Sequence, residues 1–406
     1  MPIPIDPAQL LLTVINRLYS AGLTNLSGGN LSIREPDGSI WVTPRGIDKG
    51  SLSPDDMVRV LPDGTAQGRH APSSELPFHR AIYARRPDLR AVVHAHAPAL
   101  ISYSIARKLP NTRLMPSVYA VCGDAGRAPY ALPGSPLLGE NIASAFEKGA
   151  NAVILDNHGV VTAGETILEA YQRLETLHTY ARSEMAARSL GELRPALEYT
   201  FSFPEREIPT SFAYDSERRD QLANMAQRAI DRGLFGSVIG KMSIRLDESS
   251  FLITPPDRGL DPLQPDDLVH VRDGLHAAIY QRHPHINAIA IASPPYLGAY
   301  ALVDRPLETR TIPESYVLLL DAPTLPYAST FAQIAEVVGR RAPIVILPHF
   351  GAVVTGANPL NVLDRLEVAE ITARSLIETA PLGGLVPITG DDLIDLERAF
   401  ASWIQT

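Results

Sequence analysis

The alternation of hydrophobic and polar positions predicts that helices and strands follow one another along the chain. Apolar residues at helical spacing predict amphipathic helices over 7–22, 76–86, 99–106, 136–148 and 167–190. Short β-branched runs bounded by glycine and proline predict strands over 31–34, 40–43 and 91–96, a turn followed by a strand over 52–60, and a strand with its return over 153–164. The chain is therefore a mixture of helices and strands with many loops.

From about residue 213 the chain repeats the pattern of its own first half. The matching segments are Leu31–Arg34 with Met242–Arg245, His79–Tyr83 with His276–Tyr280, and Val153–Leu155 with Val345–Leu347, at offsets of 211, 197 and 192 residues. The stretch 201–212 contains prolines and no regular pattern, so we interpret it as a linker. This predicts two homologous domains, 1–200 and 213–406.

The residues that could carry chemistry differ between the two copies, although the framework is kept. His94, His96, His158 and Asn30 are replaced by Ile291, Ser293, Phe350 and Lys241, and a deletion before His276 removes the counterpart of Ser73-Ser74-Glu75. Such a pattern is expected if the first copy holds a site and selection on that site lapsed in the second. His79 persists as His276, which favours a structural role for His79.

Histidines at positions 94 and 96 are the central chemical feature of the first copy. Side chains at i and i+2 of a strand share one face, so these two imidazoles could bind one metal ion, or they could be hydrogen-bonded histidines of a strand. His158 follows another β-branched run and is a candidate third ligand. Three histidines with an open position are typical of catalytic zinc.

Composition excludes several classes of protein. The 406 residues are 45% hydrophobic and 20% charged, which is ordinary for a globular protein, and the net charge of −9 includes no basic cluster for nucleic acid. The single cysteine, Cys122, excludes an internal disulfide and fits a reducing compartment. No apolar run approaches the ~20 residues of a membrane span. We therefore expect a cytoplasmic protein that binds neither nucleic acid nor membrane.

Five short segments make the first half recognisable. They are Ser27–Ser32, Thr43–Gly46, Pro72–Glu75, the His94/His96 pair and Asn157–Val161. In this order and spacing the sequence resembles the class II aldolase/adducin family over nearly all of residues 7–190, and the second half resembles the same fold in degenerate form. The resemblance implies two tandem α/β/α domains, each built around a mostly antiparallel sheet.

The resemblance also implies a site. It assigns His94, His96 and His158 as ligands of Zn²⁺ or of another divalent metal such as Fe²⁺ or Mn²⁺, Glu75 as the acid/base carboxylate, and Asn30, Gly46, Ser73 and Ser74 as the pocket for an anionic end of the substrate. A metal held by neutral imidazoles is a good Lewis acid, and hydroxyls beside turn amides suit an anion.

Two features depart from the family pattern. Arg45 stands where the family often has Ser or Thr, so it either pairs with an anionic group of the substrate or faces solvent. In several family members a tyrosine from a neighbouring subunit protonates the leaving group. Tyr119 lies near that region one register position away, and its counterpart Tyr316 could serve if the second domain stands in for a subunit; for both, a packed core tyrosine is the alternative.

These observations predict a metal-dependent lyase that performs retro-aldol cleavage or decarboxylation through a metal-stabilised enolate of a small anionic hydroxy/keto acid or sugar phosphate. An epimerase, a dehydratase or a non-heme iron oxygenase on the same scaffold is an alternative, since three histidines also bind Fe²⁺. A non-catalytic module like the adducin head is another. The resemblance further implies a homo-oligomer, a dimer of fused pairs that forms a pseudo-tetramer with a pseudoenzyme second domain.

Overall fold

The computed structural model describes residues 6–195, 216–236, 238–248, 250–255 and 262–402. The chain divides into two units: the first comprises 1–113 and 118–181, and the second comprises 114–117 and 182–406. The predicted linker 201–212 lies outside the described residues, and the predicted domain limits stay a prediction. No helix in the described part of the chain is long and apolar enough to cross a membrane.

The first half of the chain forms eight strands and six helices. The strands are β1 Asn30–Arg34, β2 Ile40–Val42, β3 Val58–Val60, β4 Ala66–Gln67, β5 Ala91–Ala95, β6 Gly126–Ala128, β7 Ala152–Leu155 and β8 Gly159–Gly164. The helices are α1 Pro7–Ser20, α2 Leu76–Arg85, α3 Pro98–Ala106, α4 Pro116–Cys122, α5 Pro136–Glu147 and α6 Ile167–Leu190. The strands lie in the sheet in the order β4-β3-β2-β1-β5-β8-β7-β6. Neighbouring strands are antiparallel except for the parallel β6–β7 pair.

The helix ends follow local chemistry that the sequence displays. Asp6 caps α1 by accepting a hydrogen bond from the Ala8 amide at 3.1 Å, and Pro7 occupies the first helical position. Ser135 caps α5 in the same way, accepting from the Leu138 amide at 3.2 Å. The five helices predicted in the first half are therefore confirmed to within two residues at each end.

The core of the first unit lies between one face of the sheet and helices α2 and α5. Val92 of β5 packs there with Phe78 of α2 and Phe146 of α5. Because side chains alternate along a strand, His94 faces the same side as Val92. In the register of β1 and β5, Asn30 lies opposite His94, which places a polar pair at the end of this apolar layer.

The second half repeats this architecture with six strands. They are β9 Lys241–Arg245, β10 Phe251–Ile253, β11 Val269–Val271, β12 Ala288–Ala292, β13 Ile344–Leu347 and β14 Gly351–Gly356, in the order β11-β10-β9-β12-β14-β13. The helices are α7 Ser216–Asp231, α8 Leu275–Arg282, α9 Pro295–Tyr300, α10 Pro313–Leu319, α11 Phe331–Val337, α12 Pro359–Thr379 and α13 Gly390–Ala399.

The second sheet is covered by helices on both faces. Ala288 and Ala290 of β12 pack in a core with α7 and α12, whereas the alternate residues Ile289 and Ile291 pack in a separate core with α8 and α11. Both faces of β12 are therefore apolar, and each face packs against its own layer of helices. The predicted α/β/α arrangement around a mostly antiparallel sheet is confirmed.

Candidate metal centre and active site

The three candidate ligands are positioned by strand ends and one tight turn. His94 lies in β5, and His96 follows one residue after this strand ends at Ala95. His158 lies in the three-residue turn between β7 and β8, where Asn157 has a φ of 54°. The amide of His158 donates to Leu155 O at 3.1 Å and to Ser104 Oγ at 3.0 Å, which fixes this turn.

The imidazoles of His94, His96 and His158 form a compact cluster. One ring nitrogen of each lies within 4.8 Å of the others, and among the described residues this is the one group of three or more histidine, cysteine or acidic side chains with such spacing. The ring centroids of His94 and His158 are 4.9 Å apart, and those of His96 and His158 are 5.4 Å apart. The three candidate ligands therefore lie together, as the sequence predicts.

The protonation of the cluster suits a metal ion. Nδ1 of His94 donates to Val160 O at 2.9 Å, so Nε2 carries the lone pair, and this atom is buried without a hydrogen-bond partner. Nε2 of His96 is likewise buried and without a partner among the described residues. Burial and the neighbouring imidazole of His158 lower the pKa of both residues. Neutral imidazoles with orphaned buried nitrogens are the donor set that zinc and similar divalent metals bind.

Glu75 places a carboxylate against this cluster. It is the residue that precedes α2, and its Oε2 lies 3.4 Å from Nε2 of His94, while its Oε1 lies 3.7 Å from Nε2 of His158. Oε2 accepts a hydrogen bond from Nδ2 of Asn30 at 2.7 Å, whereas Oε1 is buried without a partner in the described structure. One oxygen of Glu75 is thus held and the other is available to a substrate or metal.

A buried chain of hydrogen bonds extends behind Glu75. Because Nδ2 of Asn30 donates to Glu75, its Oδ1 must accept from Nε2 of His79, at 2.5 Å. Nδ1 of His79 then accepts from the Ser32 hydroxyl at 2.7 Å, and Ser32 in turn accepts from the Tyr83 hydroxyl at 2.7 Å. Burial keeps the pKa of His79 well below its usual value, so the ring is neutral as this order requires. The direction of every bond in the chain is therefore determined.

The second unit keeps the inner part of this chain and lacks the outer part. Ser243 lies 2.6 Å from Nδ1 of His276 and 2.7 Å from the Tyr280 hydroxyl, as in the first unit. Lys241 replaces Asn30, and Nε2 of His276 is buried without a hydrogen-bond partner in the part of the chain that is described. His79 therefore has the structural role that its persistence predicted, and it also has a link to Glu75 that the sequence did not reveal.

The segments predicted to bind an anion lie side by side. Pro44 and Pro72 form a β-bridge, and the Arg45 amide donates to Ala71 O at 3.0 Å. This brings Arg45 and Gly46 next to Ser73 and Ser74. Arg45, Gly46 and Ser74 are exposed, whereas Ser73 is buried and its Oγ accepts a hydrogen bond from the Glu75 amide at 3.2 Å. Gly46 has a φ of 68° and no heavy atom within 4 Å of where a Cβ would stand, so a ligand can approach its backbone.

Lys49 is a residue of this region that the sequence did not single out. Its side chain is buried at 2% exposure, and Nζ donates to Pro44 O at 2.9 Å. Burial lowers the pKa of this amine. The contact fixes the backbone directly before Arg45 and Gly46. Its position in a polar, glycine-containing stretch is typical of a surface lysine, which is why no signal in the sequence indicated burial.

The two candidate tyrosines make contacts away from the histidine cluster. Tyr119 stacks under the guanidinium of Arg113, 4.7 Å from ring centroid to Cζ, and its hydroxyl accepts from Arg113 at 3.2 Å. Tyr316 is buried in the second unit, where its hydroxyl donates to Glu397. Tyr316 agrees with the packed core alternative, whereas Tyr119 is only half-buried and contacts an exposed arginine. A catalytic role for either residue stays a prediction.

Two glycines allow the backbone to approach the cluster closely. A Cβ on Gly28 would lie 2.6 Å from Nδ1 of His96, and a Cβ on Gly159 would lie 2.7 Å from Ala95 O and 2.9 Å from Cδ2 of His96. A Cβ atom does not approach other heavy atoms this closely, so any larger residue would force His96 or its neighbours to shift. The glycines of the Ser27–Ser32 and Asn157–Val161 segments are thus required by the packing of the ligands.

Comparisons with known proteins agree with these features. The family described as the class II aldolase and adducin N-terminal domain matches residues 9–185 and 220–377, which confirms the tandem repeat. The chain is 34% identical over 178 residues to the 3-oxo-tetronate 4-phosphate decarboxylase of Haemophilus influenzae, covering 43% of this chain and 84% of that protein. It is 35% identical over 161 residues to the 5-methylthioribulose-1-phosphate/5-deoxyribulose-1-phosphate aldolase of Rhodospirillum rubrum, covering 39% and 72%.

A solved structure of L-fuculose 1-phosphate aldolase is also similar, with 31% sequence identity and a TM-score of 0.44, covering 47% of this chain and 90% of that one.

Proposed function

This chain belongs to the class II aldolase and adducin N-terminal domain family and is a lyase, and on that premise we propose that its first unit breaks a carbon–carbon bond of a phosphorylated hydroxy-ketone or 3-oxo acid. The bond is broken by decarboxylation or by retro-aldol cleavage. Both reactions leave a pair of electrons next to a carbonyl group, and both need that pair stabilised and then protonated.

The imidazoles of His94, His96 and His158 would hold the divalent metal that this chemistry uses. The ion supplies Lewis acidity at the substrate carbonyl when it is bound. The protein contributes by lowering the pKa of His94 and His96 through burial, which favours their neutral form, and by holding the three rings close together. The bond from His94 to Val160 O fixes the tautomer of His94, as outer contacts of metal ligands commonly do.

Glu75 is the proton-transfer group in this proposal. Its Oε1 has no hydrogen-bond partner among the described residues and faces the histidine cluster, so it can take a proton from a substrate hydroxyl in the retro-aldol direction. In decarboxylation it would first take up a proton from solvent and then give that proton to the carbon left after loss of CO₂. Asn30 holds Oε2 and thereby sets which oxygen faces the substrate. The single observation that carries the proposal is this position of Glu75, 3.4 Å from one candidate ligand and 3.7 Å from another.

The anionic end of the substrate is assigned to the segment of Arg45, Gly46, Ser73 and Ser74. Open backbone at Gly46 and the hydroxyl of Ser74 offer donors to phosphate oxygens. Arg45 is exposed, and the guanidinium has no hydrogen bond within the described residues, so it is available for a bidentate pair with a phosphate or carboxylate. The relatives named above, whose names include phosphate esters, support this choice of substrate class.

The test is a substrate assay on the metal-loaded protein with two probes. 3-Oxo-tetronate 4-phosphate should release CO₂ if the enzyme is a decarboxylase, and 5-deoxyribulose 1-phosphate should release an aldehyde if it is an aldolase. Turnover of one probe, abolished in a His94→Ala/His96→Ala variant, is the expected result. Turnover of neither probe, together with epimerisation of a ketose phosphate, would replace this proposal by the epimerase alternative.

A further inference from the structure

Arg173 and Arg365 are equivalent residues of the two units, 192 positions apart. Arg173 donates from Nη1 to Ala163 O and from Nε to Val121 O. Arg365 donates from Nη1 to Thr355 O at 2.5 Å and from Nε to Leu318 O at 3.1 Å. Thr355 is the counterpart of Ala163 at the same offset, so this contact to the sheet is common to both units.

The counter-charges around the two arginines are different. In the first unit, Nη2 of Arg173 donates to Glu169 one turn earlier in the helix. In the second unit, Asn361 stands at the position of Glu169, and Nη2 of Arg365 has no hydrogen-bond partner among the described residues. The second unit has therefore kept a largely buried guanidinium and lost the carboxylate that neutralised it.

A second carboxylate has been lost from the same place. Asp88 faces Arg173 closely enough for this guanidinium to help lower the carboxyl pKa, after the larger effect of Arg86. At the offset of 197 its counterpart is His285, whose pKa is lowered by burial and by Arg340, so its ring is neutral near pH 7. One acid remains, since Asp364, adjacent to Arg365, is exposed and attracts its charge.

These residues surround a cavity of about 190 Å³ in the second unit. It lies where β14 ends and α12 begins, and its charged and titratable lining consists of His285, Arg340, Asp364 and Arg365. With His285 neutral, the guanidinium of Arg365 and the exposed carboxylate of Asp364 are the charged groups that the substitution of Glu169 by Asn361 leaves beside each other. A water molecule takes roughly 30 Å³ of liquid volume, so the cavity has room for a tetrahedral oxyanion and its hydration.

We propose that this cavity of the second unit is an anion-binding site for phosphate or a phosphate monoester, with the anion taking the place that the Glu169 carboxylate has in the first unit. Arg365 is partly desolvated and has no ion pair through Nη2 among the described residues, and the planar fork of an arginine matches the oxygens of a phosphate. Arg365 is already held by two carbonyl oxygens, so its free Nη2 is pre-oriented. Arg340, at the exposed side of the cavity, adds the second positive charge.

The experiment uses the reverse substitution that the first unit provides. Asn361→Glu restores the carboxylate four residues before Arg365, as Glu169 stands before Arg173. Inorganic phosphate is titrated calorimetrically into the full-length protein and this variant. We expect the wild type to bind one phosphate more per chain than Asn361→Glu, and any phosphate bound by the first unit cancels in the comparison.

Two further variants test the charge argument. Asp364→Asn removes the opposing carboxylate and should tighten the second-unit phosphate site by about threefold to tenfold, because it removes one like-charge contact. Leu360→Glu adds the same charge as Asn361→Glu on an exposed residue of the same helix, 51% accessible, and should leave the phosphate stoichiometry unchanged. Equal stoichiometry for wild type and Asn361→Glu would overturn the proposal, as would equal loss in Leu360→Glu.

Discussion

Nδ2 of Asn30 lies 2.7 Å from Oε2 of Glu75, and the other end of the same amide accepts from His79. If the amide of Asn30 were turned over, its oxygen would face Glu75 and its NH₂ group would face His79, so neither hydrogen bond could be kept. The orientation of the carboxylate at the histidine cluster is therefore coupled to a buried imidazole that is not one of the three candidate ligands.

This coupling predicts that His79 is a positioning residue. His79→Leu removes the donor to Asn30 and should lower kcat by about tenfold to a hundredfold, since small misplacements of catalytic groups cost rates of this order. His79→Gln retains a donor near the position of Nε2 and should recover part of the loss. The measurements are kcat and KM under metal-saturating conditions, with metal content as a second readout.

The second unit supplies the matched control for this prediction. His276→Leu removes the equivalent imidazole, whose Nε2 has no partner, and should lower the thermal stability of the protein while leaving kcat unchanged. If His276→Leu lowers kcat as much as His79→Leu does, the effect is general destabilisation, and the positioning role of His79 is wrong.

Glu75→Gln should separate proton transfer from metal binding. The amide oxygen of glutamine can still accept from Asn30, but the side chain can no longer exchange a proton with the substrate. We expect kcat to fall by about 10²–10⁴-fold with metal content retained, because general acid–base catalysis contributes factors of this size. A kcat within about twofold of the wild type would remove Glu75 from the mechanism.

Metal content per chain should be one divalent ion. Elemental analysis of the purified protein should find it, and His96→Ala with His158→Ala should abolish it, since the orphaned nitrogens belong to this cluster. His349→Ala, a buried histidine of the second unit, is the control and should keep the ion. Two ions per chain would contradict the loss of the site in the second unit, and none after loading with zinc, iron or manganese would contradict the metal centre itself.

The pH dependence of stability follows from His276. Burial lowers the pKa of this residue from 6.5 to about 3, so the unfolded chain takes up a proton below pH 6.5 that the folded chain does not. Stability is therefore full above pH 6.5 and is lost as the pH falls toward 3. Between these values the contribution of one such group changes by up to about 1.4 kcal/mol per pH unit.

Urea denaturation at pH 7, 6 and 5 measures this dependence. His276→Leu has no titrating group at this position and should show a shallower loss of unfolding free energy with acid than the wild type does. His79 and His94 have pKa values lowered in the same direction, so some acid sensitivity should remain in the variant. An unchanged slope in His276→Leu would mean that this imidazole is protonated in the folded protein.

The sequence predicted the parts of this protein that have a local signal. Helix ends at Pro7 and Ser135, the histidine cluster and the duplication are all visible as patterns within a few residues or as segments that recur in the same order in the second half. His96 lies just beyond the strand on which it was expected, yet its ring still meets that of His94, 5.1 Å away. The end of β5 is set by its pairing with β8, and this pairing is not visible in the local sequence pattern.

The remaining features depend on contacts between distant segments. The chain of hydrogen bonds from Tyr83 through Ser32 and His79 to Asn30 joins residues up to 53 positions apart in the sequence. No spacing rule relates these residues. The parallel strand β6 has three residues, too few for a period to be recognised. The buried amine of Lys49 donates a hydrogen bond to the Pro44 carbonyl, and this contact can be seen only in the folded structure.

Gly28 has a consequence for the history of the second unit. A Cβ at this position would lie 2.6 Å from His96, and the corresponding residues of the second unit are Ile239 and Ser293. In the geometry of the first unit, a Cβ at the position of Ile239 and an imidazole at the position of Ser293 would be 2.6 Å apart, so one of the two would have to shift. Restoring histidines at the three positions is therefore expected to need a smaller residue at position 239 as well. The route from the second unit to a histidine cluster like that of the first thus takes a fourth substitution, at a residue that would not itself be a ligand.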